Sequence, residues 1–154
     1  MVAARSCMAP LLVFRSMNGN DSAFHQRVLR FDDSVSINER GYVLRAIKAA
    51  ESSVHRTRVG ATLVVAGRVA SASNRIRNSK EVAPFTEQSV HAEVRAVLRG
   101  YRSGRGGDVY VARLGARGRF LPSHPCKRCV PILREAGVKR VVWWNGETWT
   151  SSKI

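Results

Sequence analysis

Apolar residues recur along the chain with two different spacings, and the switch between them marks out the elements. Ser36-Ile37-Asn38-Glu39 has the spacing of a capping box, and Val43, Leu44, Ile47 and Ala50 follow at helical intervals. A first helix is therefore predicted, ending near Val54. Residues 59–66 and 68–73 are two β-rich runs meeting at Ala66-Gly67, the pattern of a hairpin. Residues 75–88 lack periodicity and contain Pro84, which predicts a loop. Ser89 can cap a second helix reaching about Arg99, with Val90, Val94, Val97 and Leu98 on one side and Gly100 as its stop. Residues 108–114 read as a third strand. After a loop rich in Gly and Arg at 115–123, Pro125 suits the first turn of a helix running to Ala136, with Gly137 just past its end. Residues 138–144 and 148–150 are strands on either side of Asn145-Gly146, a strong hairpin signal.

This order predicts an α/β domain of three layers, α/β/α, around one mixed five-stranded sheet. The 154 residues suit one domain with a real core. Its expected extent is 36–154, with residues 1–35 as a flexible N-terminal extension. Residues 1–20 carry Arg5 and Arg15, no acid, and the apolar run Ala9-Pro10-Leu11-Leu12-Val13-Phe14, too short to span a membrane. A presequence and a true start at Met17 account for that segment equally, and no membrane association is expected.

Charge adds a partner to this picture. The formal net charge of +15 comes from 26 Lys and Arg against 11 Asp and Glu, and residues 52–154 hold 19 of the bases and 6 of the acids. Such a field attracts nucleic acid or a phosphorylated substrate. Solvated arginines of an arginine-rich protein explain it as well. Three cysteines, Cys7, Cys126 and Cys129, are too few for a disulfide scaffold and point to a reducing, cytoplasmic setting.

Two short pieces carry chemistry: His91-Ala92-Glu93 opening the second predicted helix, and Pro125-Cys126-Lys127-Arg128-Cys129 opening the third. Two cysteines three apart at a helix start share one face, and the exposed amides there favour the thiolate that binds metal. With His91 they make three ligands for zinc and leave its fourth tetrahedral position to water. Zinc brings the pKa of such a water from about 15.7 to about 7, and Glu93, next to a ligand without being one, can take the proton. Attack on an amidine-like carbon, C4 of cytosine or C6 of adenine, followed by protonation of the departing amine, releases ammonia. A structural zinc site with Glu93 incidental is the competing reading.

Both halves together, in this order, resemble the cytidine deaminase-like superfamily over residues 36–150. The resemblance implies that Glu93 shuttles the proton, that the amide of Ala92 contacts the substrate carbonyl, and that the carbonyl of Pro125 receives the leaving amine. Asn74 matches a position where the family holds the sugar or base, with a plain turn residue as the alternative. His124 either lines the mouth or is solvated, and Phe85 either stacks on a base or anchors its loop. The C-terminal hairpin resembles the division that holds free cytidine deaminases, a plant RNA-editing domain and bacterial toxin or DNA deaminases. Free cytidine deaminases carry Cys where this chain has His91, whereas Gly137-Val138-Lys139-Arg140-Val141-Val142 resembles deoxycytidylate deaminases. Arg75, Arg77, Arg113, Arg117 and Arg119 are candidates to hold phosphate, with solvated loop arginines as the alternative. The leading expectation is a zinc-dependent deaminase of cytosine in a (deoxy)cytidine nucleoside or nucleotide. Deamination within single-stranded DNA or RNA is the alternative, and a non-enzymatic zinc module that binds nucleic acid is the outsider. Assembly into a homo-oligomer fits the resemblance too.

Overall fold

Ser36 opens the first helical segment as its spacing predicts. Its hydroxyl accepts the Asn38 N–H, and the Glu39 carboxylate reaches back to accept the Ser36 N–H at 2.7 Å. That capping box leads through a short 3-10 turn, Ile37–Glu39, into α1, Arg40–Glu51, whose Val43, Ala46, Ile47 and Ala50 are buried. The computed structural model describes residues 12–14, 27–76, 89–100 and 105–154.

Strands β1, Leu12–Phe14, and β2, Arg27–Leu29, form a small antiparallel pair. The predicted hairpin is β3, Arg58–Val65, and β4, Arg68–Ser73, turning at Ala66 and Gly67, which both have positive φ. Two short strands, β5, Arg75–Ile76, and β6, Ser89–Val90, pair with each other ahead of α2, Ala92–Arg99. Then come β7, Asp108–Leu114; β8, Phe120–Leu121; α3, Cys129–Glu135; β9, Arg140–Trp144; and β10, Trp149–Lys153. The main sheet runs β10-β9-β7-β3-β4, with β8 paired to β7 alongside that path. Only β7 and β9 are parallel, because α3 carries the chain back between them; the other neighbours are antiparallel. The sheet is mixed, as expected, and has six strands rather than five.

Alternation along the strands assigns the layers. Tyr110, Ala112, Leu114, Val142 and Trp144 face α1, and Ala61, Leu63, Val109, Val111 and Val141 face α2 and α3. Gly60 makes the first contact possible: a Cβ there would lie 2.2 Å from both Ala46 O and Ala50 N, so only glycine lets α1 lie this close to β3.

Three local expectations change. Ser89 does not cap α2; it belongs to β6, where Val90 pairs with Arg75, and the helix starts two residues after Val90. The third helix starts at Cys129 rather than Pro125, with one turn at Cys126 ahead of it. Within the expected loop 115–123, Phe120 and Leu121 fold back onto Leu114 and Arg113, and the Phe120 ring packs 5.4 Å from Trp144 and 5.8 Å from Trp149. Packing also continues upstream of Ser36. Leu29 and Val35 are buried, Phe31 bridges Trp149, and Asp32 N–H and Arg30 O bond the Trp149 backbone at 3.0 and 2.7 Å. Among the described residues no helix is long and apolar enough to cross a membrane.

Candidate active site

Two chain reversals bring the chemistry together. His91 stands between β6 and α2 with extended backbone angles, φ −70° and ψ 147°, and its carbonyl accepts the Arg95 N–H at 3.1 Å as the helix begins. On the other side, the Cys126 carbonyl accepts the N–H groups of Cys129 and Val130 at 3.0 and 3.1 Å. That helical turn puts Cys126 and Cys129 on one face. Since α2 and α3 lie on the same side of the sheet, their first turns meet. The His91 Nδ1 atom is 3.2 Å from Cys129 Sγ and 3.5 Å from Cys126 Sγ, and the three donor atoms all lie within 4.8 Å of one another. Tetrahedral zinc, with Zn–N of about 2.0–2.1 Å and Zn–S of about 2.3 Å, sets such N and S donors about 3.5 Å apart. The cluster fits that ion in donor chemistry and in spacing, with Cys129 buried and Cys126 reached by solvent.

His91 and Cys126 open on a cleft of about 240 Å³ that Ala92, Glu93 and Asn74 also line. Glu93 is 5% exposed. Burial pushes its carboxyl above the ordinary glutamate range, against the opposing pull of its own backbone N–H and of His91 and His124. A carboxyl so placed has the right surroundings for taking up and giving back a proton.

The remaining sequence-predicted residues divide. Arg113 lines the cleft, as does His124, whose ring meets Trp143 edge-on with centroids 4.9 Å apart. Pro125 is buried beside it, and its carbonyl lies 2.9 Å from His124 Nδ1. Asn74 is 7% exposed and already engaged: Oδ1 accepts from Ser53 Oγ at 2.7 Å and Val59 N–H at 2.9 Å, and Nδ2 donates to Thr57 O at 2.7 Å. Arg75 lies in β5, next to Asn74 but outside the cleft lining, and exposed Arg117 and Arg119 are on the β7–β8 connection. Arg77 and Phe85 lie outside the described residues. Sequence reasoning missed His55, Thr57 and Ser123, which all line the cleft. Their one signal was position, just before a strand or just before Pro125.

A family model for the cytidine and deoxycytidylate deaminase zinc-binding region matches residues 37–145. The chain belongs to that family. Solved structures with a similar fold include a cytidine deaminase from Burkholderia pseudomallei, at TM-score 0.56 and 21% identity, covering 74% of this chain and 91% of that one. A dCMP deaminase from the cyanophage S-TIM5 matches at 0.51 and 23%, covering 68% and 79%. The cytidine deaminase from Mycobacterium tuberculosis matches at 0.51 and 24%, covering 75% and 90%. No curated protein sequence matches the chain. Zinc is thus the cofactor on two grounds, the family's zinc-binding region and a His/Cys/Cys donor set that fits it.

Proposed function

We propose that this deaminase hydrolyses the exocyclic amine of cytosine in a (deoxy)cytidine nucleoside or nucleotide. The observation that carries the reading is a buried carboxylate, Glu93, sharing the cleft with His91 and Cys126. In this reading His91, Cys126 and Cys129 hold zinc, which supplies Lewis acidity that lets water act as a nucleophile near neutral pH. Glu93 takes one proton from the attacking water and passes it to the ring nitrogen, then takes the second from the hydroxyl added at C4 and passes it to the departing amine, while the C4–N bond breaks, a C4 carbonyl forms and ammonia leaves. The Ala92 amide binds the base carbonyl. The Pro125 carbonyl has two lone pairs, one beside His124, and the other accepts from the amine. Asn74 has one amide N–H without a partner among the described residues, available to a sugar hydroxyl. The cytidine deaminase and dCMP deaminase that share the fold support this substrate class.

One observation favours a second reading, deamination within single-stranded DNA or RNA. The chain carries +15, and the β7–β8 connection whose base lines the cleft bears Arg117 and Arg119. Mass-spectrometric assay of zinc-loaded protein on cytidine, deoxycytidine, their monophosphates, adenosine, and single-stranded and duplex DNA and RNA separates the two. Turnover of a free pyrimidine compound, lost in Glu93→Ala, is the expected result. Turnover confined to polymer replaces it with the second reading, and activity that survives Glu93→Ala removes the proposed mechanism.

A further inference from the structure

Besides His91, Cys126 and Glu93, the cleft lining carries two further groups able to meet an anion, Arg113 and His55. Arg113 pairs with Val59 across β7 and β3, and both side chains project to the sheet face that carries α2 and α3. Arg113 lies two residues, about 7 Å, farther along β7 than the buried Val111, which also lines the cleft. Arg113 is exposed and makes no hydrogen bond or ion pair among the described residues. Among the described residues the one acid lining the cleft is Glu93, buried beside the metal-ligand cluster, so no other described lining residue carries charge to neutralise this guanidinium.

His55 lines the same cleft and is held in one orientation. The Thr57 N–H donates to its Nδ1 at 3.1 Å. Nδ1 also lies 3.2 Å from Thr57 O, so in either tautomer this edge of the ring finds a partner in the Thr57 backbone and is held in place. The turn itself is fixed: Ser53 Oγ accepts the His55 N–H at 3.2 Å, and the Asn74 amide binds Ser53, Thr57 and Val59 at once. The imidazole is therefore fixed in place, with no partner for Nε2 among the described residues.

We propose that Arg113 and His55 form an anion subsite for the phosphate adjoining the reacting nucleoside, which makes the substrate a nucleotide. A guanidinium supplies charge and paired donors, and a held imidazole with its proton on Nε2 adds a third donor, the combination that phosphate oxygens take. The assignment rests on the proposed function for where the base lies. A terminal monoester and a backbone diester share this chemistry.

Titration calorimetry with product-like ligands tests the subsite without relying on turnover. Zinc-loaded protein is titrated with deoxyuridine, dUMP and a short single-stranded oligodeoxynucleotide carrying one internal uracil. Binding of a phosphorylated ligand at least about tenfold tighter than deoxyuridine is expected, the scale of one or two charged hydrogen bonds. Tightest binding of dUMP assigns the subsite to a monoester, and tightest binding of the oligonucleotide assigns it to a diester. In Arg113→Ala the phosphate-to-nucleoside affinity ratio is expected to fall to near one. His55→Asn keeps an acceptor for Thr57 N–H while removing the atom at the Nε2 position, so it lowers the same ratio with the fold preserved. Equal binding of nucleoside and nucleotide by the unaltered protein overturns the subsite, as does an Arg113→Ala protein that keeps the preference. Absence of Glu93-dependent turnover with the phosphate preference intact counts against the catalytic reading alone.

Discussion

Ser123 shows how much a single side chain does for this site. It is 4% exposed, and its hydroxyl donates to Val111 O at 2.7 Å while accepting the Trp144 N–H at 2.9 Å. Its own N–H donates to Trp144 O at 3.0 Å. One residue thus ties the ends of the parallel strands β7 and β9 to the segment that delivers Pro125 and Cys126. Ser123→Ala leaves two buried backbone groups without their partner, an expected loss of about 1–3 kcal/mol in urea unfolding. Faster transfer of zinc to a chromophoric chelator, at a temperature where the variant is fully folded, would separate positioning of the metal loop from general stability. Only its position ahead of Pro125 marked Ser123, since a serine before His-Pro-Cys otherwise reads like any loop residue. The ligand triad and Glu93 were legible because metal chemistry restricts residue type and spacing together. Asn74 was legible as a candidate, and it does line the cleft, but its three bonds to the 53–59 segment were not legible, because they join groups brought together only by the turn into β3.

At the scale of elements, the alternating apolar pattern located α1, the β3–β4 hairpin, β7, β9 and β10, all of which bury one face or both. The misses fall where two-residue ladders decide the backbone. Ser89-Val90 carries helix-like signals, yet pairing with Arg75-Ile76 holds it extended and moves the helix start to Ala92. Phe120-Leu121 is too short to give a period, and the aromatic contacts with Trp144 and Trp149 turn it into a strand. The tightest element contact, α1 on β3, depends on Gly60. Gly60→Ala puts a methyl group into helix backbone that no rotamer change can clear, so its cost is expected to exceed the usual overpacking penalty of about 1–3 kcal/mol. A thermal melt within a few degrees of the unaltered protein would refute that account of the contact.

For the whole molecule, the most consequential polar group outside the cleft is Glu39, which joins the α1 cap to both central strands. Its carboxylate accepts from Ser36 N–H, from Tyr110 OH at 2.6 Å and from Arg140, and Arg140 also binds Asp108 at 2.6 Å. Burial alone would raise the Glu39 pKa; the bonds from Tyr110, Ser36 and Arg140, with the charge of Arg140, outweigh it and hold the carboxyl below its usual range. A group depressed on folding contributes stability that is complete above its unfolded pKa, about 4.3 for glutamate, and is lost as pH falls through the lower folded value. Melting temperature is therefore expected to drop between about pH 4.5 and 2, more steeply than in Glu39→Gln, whose curve flattens there. Parallel curves for the two proteins would show that the acid loss originates elsewhere.

The segment before Ser36 has a consequence for the margins of the sheet. Along β10, Arg30, Asp32 and Ser34 occupy backbone groups of Trp149 and Ser151, while at the opposite margin Arg95 and Arg99 of α2 donate to the carbonyls of Ser73 and Ser71 in β4. An uncovered margin is a template on which extended foreign chains can grow, and here each margin is partly sheathed by the molecule itself. Trimming the protein to the 36–154 unit would unsheathe Trp149 and hand β10 to the next chain. Light scattering at rising concentration should then register cross-β growth that the full chain resists.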